Sequence, residues 1–323
     1  VSAGRGLARA LVLALALPLA TCGETQKKPP PPPPPPPALC SYATRTEGSA
    51  AASRTLAVAT WLAFLLPGYK LKTGEVDRPL TTCTGQKVRW SYGGVECPDL
   101  EADLAYLPPA PVKPQDLVLS STDELTRLVW AGADRLSDGE AEGPLALAEF
   151  TPTSVVIRAL GTLRALPERG RLKLVTVQTR TLLAAEGEHC PPEPKHKKDD
   201  DTPDTAKCFR GVRLMVLSGQ RFEPQPLRSD DGKCLEPAFF PLARTQIVPG
   251  KDGGKEQVKL SSKIDYTPDR VLVHEEVEVR ELEGGKPGRL LRQAQADRNV
   301  RVRGNRLYTS DASLWNRMLH EDR

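Results

Sequence analysis

Hydrophobic and polar positions alternate most regularly near the C-terminus. Val258, Leu260, Ser262, Ile264 and Tyr266 fall on one side of an extended chain, and Lys259, Ser261, Lys263 and Asp265 on the other. After Thr267-Pro268-Asp269, Val271, Val273, Val277 and Val279 share a face interrupted by Glu275, opposite His274, Glu276, Glu278 and Arg280. Val300 to Arg303 and Arg306 to Tyr308 flank Gly304-Asn305, which predicts a two-residue hairpin. Upstream, residues 153–160, 171–178, 182–188 and 209–217 are rich in Val, Leu and Thr, and another strand is expected near Phe222. Successive strands with short connections predict a mainly β fold, an antiparallel meander forming a curved sheet, sandwich or incomplete barrel with a few short helices.

Helical expectations are fewer. Ser121-Thr122-Asp123-Glu124 has the form of a capping box, and Leu125, Leu128, Val129 and Leu136 would follow as one helix face. Residues 54–66 are apolar on nearly every face and stop at Pro67-Gly68, which fits a buried helix or a core strand equally. Residues 138–144 are expected to form a loop, and 314–319 a short closing helix.

The N-terminus has a different pattern. Arg5 and Arg9 precede the ten-residue apolar run Leu11 to Ala20, too short for a bilayer span of about 20 residues but suited to a cleavable signal. The run ends in Leu19-Ala20-Thr21-Cys22. This tetrapeptide resembles the lipobox of bacterial lipoproteins, with Leu at −3 and the acceptor cysteine last; Thr21 departs from the usual Gly, Ala or Ser at −1. The resemblance covers residues 1–22 and implies acylation of Cys22, membrane lipid as partner, and an exported, lipid-anchored position in the cell envelope, on the outer membrane where there are two. A diacylated cysteine supplies the two chains that stable anchoring requires. Nine prolines, Pro29 to Pro37, follow, a stiff spacer of roughly 28 Å at about 3.1 Å per residue. The expected organisation is a signal over 1–21, an anchor and stalk over 22–38, a disulfide-bearing segment over 39–114, and a mainly β domain over 115–323 packed with it as one unit.

Of 45 Lys and Arg, losing Arg5 and Arg9 with the signal leaves 43 against 41 Asp and Glu, a balance that does not suggest a nucleic-acid partner. Aromatics at 5% argue against a sugar-stacking platform. Of seven cysteines, one is the lipid acceptor, leaving Cys40, Cys83, Cys97, Cys190, Cys208 and Cys234 for disulfides in an oxidising compartment. Three precede the Pro-rich segment 107–114 and three follow it, so complete pairing sends at least one bridge across. The preferred set is Cys83–Cys97, Cys190–Cys208 and Cys40–Cys234.

Catalytic signatures are missing. There is no Gly-x-Ser-x-Gly elbow, no Ser-x-x-Lys, no phosphate loop and no dinucleotide fingerprint, and His274-Glu275 is followed by Glu278 where a zinc protease has its second His. His189, Cys190, His196 and Cys208 match no common zinc spacing, and Asp199-Asp200-Asp201 with Asp204 lacks the glycine and terminal Glu of a calcium loop. No metal or cofactor is expected. His274, Glu276 and Glu278 read as a surface charge ladder, with Arg301 or Arg303 as partners. Glu275, on the apolar face, is the candidate buried carboxylate, whose pKa would rise without a partner. The expected role is a non-catalytic binding or structural module acting on an envelope protein or polymer. The alternatives are a carrier of an apolar ligand in a β cavity and, third, an envelope hydrolase if Glu275 shares a cleft with a second carboxylate.

Overall fold

One large, mainly antiparallel sheet organises the chain. The computed structural model describes residues 36–44, 55–91, 97, 100, 105–190, 208–250 and 253–320. The expected signal, Cys22, nearly all of the stalk, His196 and the Asp199–Asp204 cluster lie outside these residues.

In the first half, β2 (Leu117–Ser121), β3 (Thr126–Ala131), β5 (Ala141–Phe150) and β6 (Ser154–Ala165) pair in succession, with β4 (Asp134–Arg135) on the end of β5. The far edge of β6 is shared between β1 (Cys40–Ala43) and a short parallel pairing with β10 (Arg221–Pro224). From β10 the sheet continues through β9 (Phe209–Ser218) and β8 (Arg180–His189) to β7 (Glu168–Val177). β7 comes back beside β2, where the Leu172 N–H donates to Ser120 Oγ at 3.0 Å. No ladder joins these two strands, so the sheet is rolled but not closed into a barrel.

The second half leaves β9 through β13 (Phe239–Pro249) and runs to β14 (Lys255–Tyr266), β15 (Val271–Glu283) and β16 (Lys286–Arg303). This arm ends in β17 (Arg306–Tyr308), then β11 (Pro226–Arg228), parallel to β17, and β12 (Cys234–Pro237). The expected hairpin is present, with Arg303 opposite Arg306 and Gly304 at φ +61°, a conformation open to glycine at no steric cost.

Four apolar clusters hold these layers together. Leu128, Trp130, Leu145, Leu163, Leu183 and Met215 fill the inside of the rolled half. On its outer face, helix α1 (Val58–Leu65) packs Trp61, Leu62 and Leu65 against Val129, Ala146 and Ile157. The residues that fit helix and strand equally are thus a helix, covering a sheet that is buried on both sides. Between the halves, Leu214 and Val216 meet Phe240, Val273, Val300 and Leu307. Helix α2 (Leu314–His320) seats Leu314 and Trp315 over Val258, Leu260, Val277 and Val279.

Two expectations fail. Residues 125–136 are not a helix: Thr126–Ala131 is β3. Asp123 Oδ1 accepts from the N–H groups of Leu125 and Thr126, each at 2.8 Å, so the residues read as a capping box form the turn between β2 and β3. Leu128, Val129, Trp130 and Ala131 are all buried, because β3 has a core on each face; helix-like spacing there reflects two-sided burial. Gly143-Pro144, expected in a loop, lies inside β5, where a Cβ at Gly143 would fall 1.7 Å from the Ala131 carbonyl oxygen. Only glycine permits that approach.

Candidate functional site

The six expected half-cystines form Cys40–Cys83, Cys97–Cys234 and Cys190–Cys208. Cys190–Cys208 pairs as expected, but Cys40 and Cys97 are exchanged: Cys97, not Cys40, bridges to Cys234 across the Pro-rich segment, and Cys83 joins Cys40, not Cys97. The reason is tertiary, since β1 lies on β6 under the segment carrying Cys83, while β12 lies far along the sheet. Glu188, Cys190 and Cys208 come together as a metal-like trio. With both sulfurs in one disulfide there is no thiolate to ligate.

Glu275 lies on the apolar face of β15 and is 3% exposed, yet it is not alone. Its Oε1 sits 2.9 Å from Arg298 Nη2, and its Oε2 accepts from the Leu314 N–H at 2.7 Å. Arg298 also donates to Glu236, and its guanidinium stacks over Phe240 at 5.3 Å. Glu236 Oε2 accepts from the Ser313 N–H at 3.3 Å and from Asn316 Nδ2 at 3.0 Å. Two carboxylates and one arginine therefore fasten the start of α2 onto the arm. Burial pushes the Glu275 carboxyl above its ordinary value, with Glu236 adding to the rise and Arg298 and the Leu314 amide opposing it. A second carboxylate does accompany Glu275, as the hydrolase alternative requires, but both are buried beneath α2 instead of facing a cleft. Sequence reading missed Glu236 and Arg298. The available signal was Arg298 itself, a charge among Ala294, Ala296, Val300 and Val302 on one face of β16, matching the charge that breaks the face of β15.

The opposite face of the arm is solvent-facing and polar. Lys259, Glu278 and Gln293 form one rung across β14, β15 and β16; Ser261, Glu276 and Gln295 form the next; Lys263, His274 and Asp297 form the third. His274 Nδ1 is 2.7 Å from Asp297 and its Nε2 is 3.3 Å from Asp265. Glu276 accepts from Gln293 at 2.6 Å and from Gln295 at 3.2 Å, which holds its carboxyl below the usual range. The expected ladder is there, but its expected partners are not: Arg301 and Arg303 both pair with Asp230. They sit beyond the end of the ladder, where β16 turns to β17.

A second buried charge cluster, unforeseen in the sequence, closes one end of the rolled half. Arg213 donates to Glu140 at 2.6 Å, and Arg164 bridges Glu140 and Asp138. Arg213 also lies 4.9 Å over Trp90. Glu142 accepts from the Trp90 N–H at 2.8 Å and from the Tyr106 hydroxyl at 2.6 Å. Burial and the Glu142 carboxylate push the Tyr106 phenol up to about 12, so it is a donor throughout the physiological range. These residues were hidden because they come from five separate stretches, around Trp90, Tyr106, residues 138–142, Arg164 and Arg213, that only the fold brings together.

The two buried clusters are closed on internal partners, whereas the arm presents its groups outward. No family model, curated protein or solved structure matches the chain.

Proposed function

We propose that the chain is an exported, lipid-anchored module of the bacterial cell envelope that binds or braces a protein or polymer without catalysis, using the polar face of β14–β16. The observation that carries this is the face itself: three long strands that pair without a shift across all three polar rungs, and are pinned from behind by α2 through Glu236, Arg298 and Glu275. A surface so backed keeps its shape when a partner docks, which lowers the ordering cost of binding. The disulfides fit an oxidising compartment, and the Leu-Ala-Thr-Cys tetrapeptide supplies the anchor. The inside of the rolled half is filled by side chains including Trp130 and Met215, which favours a surface role over the carriage of an apolar ligand.

A photo-crosslinking residue at Gln293, in cells, should trap one envelope component on the arm. A bare monomer, or a small apolar adduct released on denaturation, would sink the reading and, in the second case, favour a carrier. Separately, Cys22→Ala should move the protein from the membrane to the soluble fraction with its β content unchanged. Retention at the membrane would remove the anchor.

A further inference from the structure

Residues 86–91, Gln-Lys-Val-Arg-Trp-Ser, alternate as an extended segment does: Val88 and Trp90 turn inward, and Lys87 and Arg89 turn out to solvent. Three successive amides pin it, with the Val88 N–H on the Leu80 carbonyl at 2.9 Å, the Arg89 N–H on Thr162 Oγ1 at 3.3 Å and the Trp90 N–H on Glu142 at 2.8 Å. This segment forms one wall of an open groove of about 230 Å³, whose floor is Leu160 to Thr162 of β6 and whose other wall is β10. Gly161 makes the arrangement possible, because a Cβ there would fall 2.7 Å from the Phe222 carbonyl oxygen. The close seam brings Arg221 to the wall facing Lys87 and Arg89.

Among the described residues, Lys87, Arg89 and Arg221 make no ion pair, whereas Arg158 and Arg164, on the same strand as the groove floor, each hold a carboxylate. Glu223 is the one carboxylate of the described lining. Like charges gathered in a groove raise the local concentration of anions and are relieved when one binds. We infer that this groove, separate from the arm, binds a chain of phosphate groups. Two arginine forks and a lysine on facing walls suit phosphate oxygens. So many cations around so small a volume favour phosphate over the sparser carboxylates of an acidic glycan.

The test is calorimetric titration of the full chain, in a neutral detergent, with tripolyphosphate. Saturable binding is expected, weakened at least about tenfold by Lys87→Ala, Arg89→Ala and Arg221→Ala together, since charged hydrogen bonds are among the stronger ones. Exposed Lys255, Lys286 and Arg180 replaced by Ala should change affinity less than twofold, although the net charge falls equally. Arg221→Glu alone should also abolish binding, which guards against a triple variant that misfolds. The inference is overturned if the groove variants bind as the parent does, or if the control set loses as much. Binding of polygalacturonate in preference to tripolyphosphate, or of phosphatidylglycerol vesicles without tripolyphosphate, would likewise replace the phosphate chain with an acidic glycan or a lipid headgroup.

Discussion

The rolled half and the arm use the same sheet in opposite ways. In the rolled half, strands have a core on each side: all of Leu128 to Ala131 in β3 and all of Gly211 to Val216 in β9 are buried. In the arm, β15 alternates buried and half-buried residues from Val271 to Val279, with α2 on one face and solvent on the other. Two-sided burial supplies apolar area but leaves no face to offer a partner. One-sided burial supplies less, and the arm compensates with charge: Arg298 and two carboxylates lock its thin cover in place. Charge in the rolled half gathers at its end, around Glu140 and Glu142, where the strands run out of core.

The comparison can be broken most directly at Trp130. Trp130→Ala empties the centre of the rolled half and removes the donor to the Leu163 carbonyl at 3.1 Å, and should cost about 3–5 kcal/mol in denaturant unfolding. Next is Arg298→Met, which strands Glu236 and Glu275 beneath α2. A loss of about 3 kcal/mol is expected, with the near-ultraviolet signal of Trp315 reporting release of the helix. A cost below about 1 kcal/mol would mean that the arm does not depend on the cluster.

Acidity sharpens the same point. Burial raises the Glu275 carboxyl above 4.5 in the folded chain, so the folded state holds that proton more tightly than the unfolded one. Its stabilising contribution is complete below 4.5 and is lost as pH rises through the folded value. Unfolding free energy should therefore slope downward across that window, and Glu275→Gln should flatten the slope in denaturant titrations run at several pH values. An unchanged slope would assign the pH dependence elsewhere. The smallest effect belongs to the open ladder, where Glu276→Ala should leave the denaturant midpoint nearly unchanged. Removing the alternation partner Val277, on the covered face, should cost several times more in the same assay.

The arm was the more legible region. Its alternation placed Val258, Leu260, Val277 and Val279 on one face and marked Glu275 as out of place, because a strand covered on one side writes its orientation into a period of two. In the rolled half β6 to β9 are placed by their Val, Leu and Thr content, but β3 is misread for the converse reason. A strand covered on both sides carries no alternation, so Leu125, Leu128, Val129 and Leu136 could mimic a helix face. Glu275 could be recognised as buried, but its partners could not be identified: Glu236 is 39 residues away in sequence and reaches it only because β12 and β16 meet the start of α2.

By itself the sequence determined the mainly β class, the local hairpins and the need for one disulfide to cross residues 107–114. Each of these follows from local periodicity, turn chemistry or parity, which require no knowledge of distant neighbours. Tertiary structure alone decided which cysteines pair, which faces of β3 are covered, that Arg298 serves two carboxylates, and that Lys87 and Arg89 face Arg221 across a groove. These depend on which strands become neighbours, and a sheet's order is settled by the packing of whole layers, not by any single segment's preference.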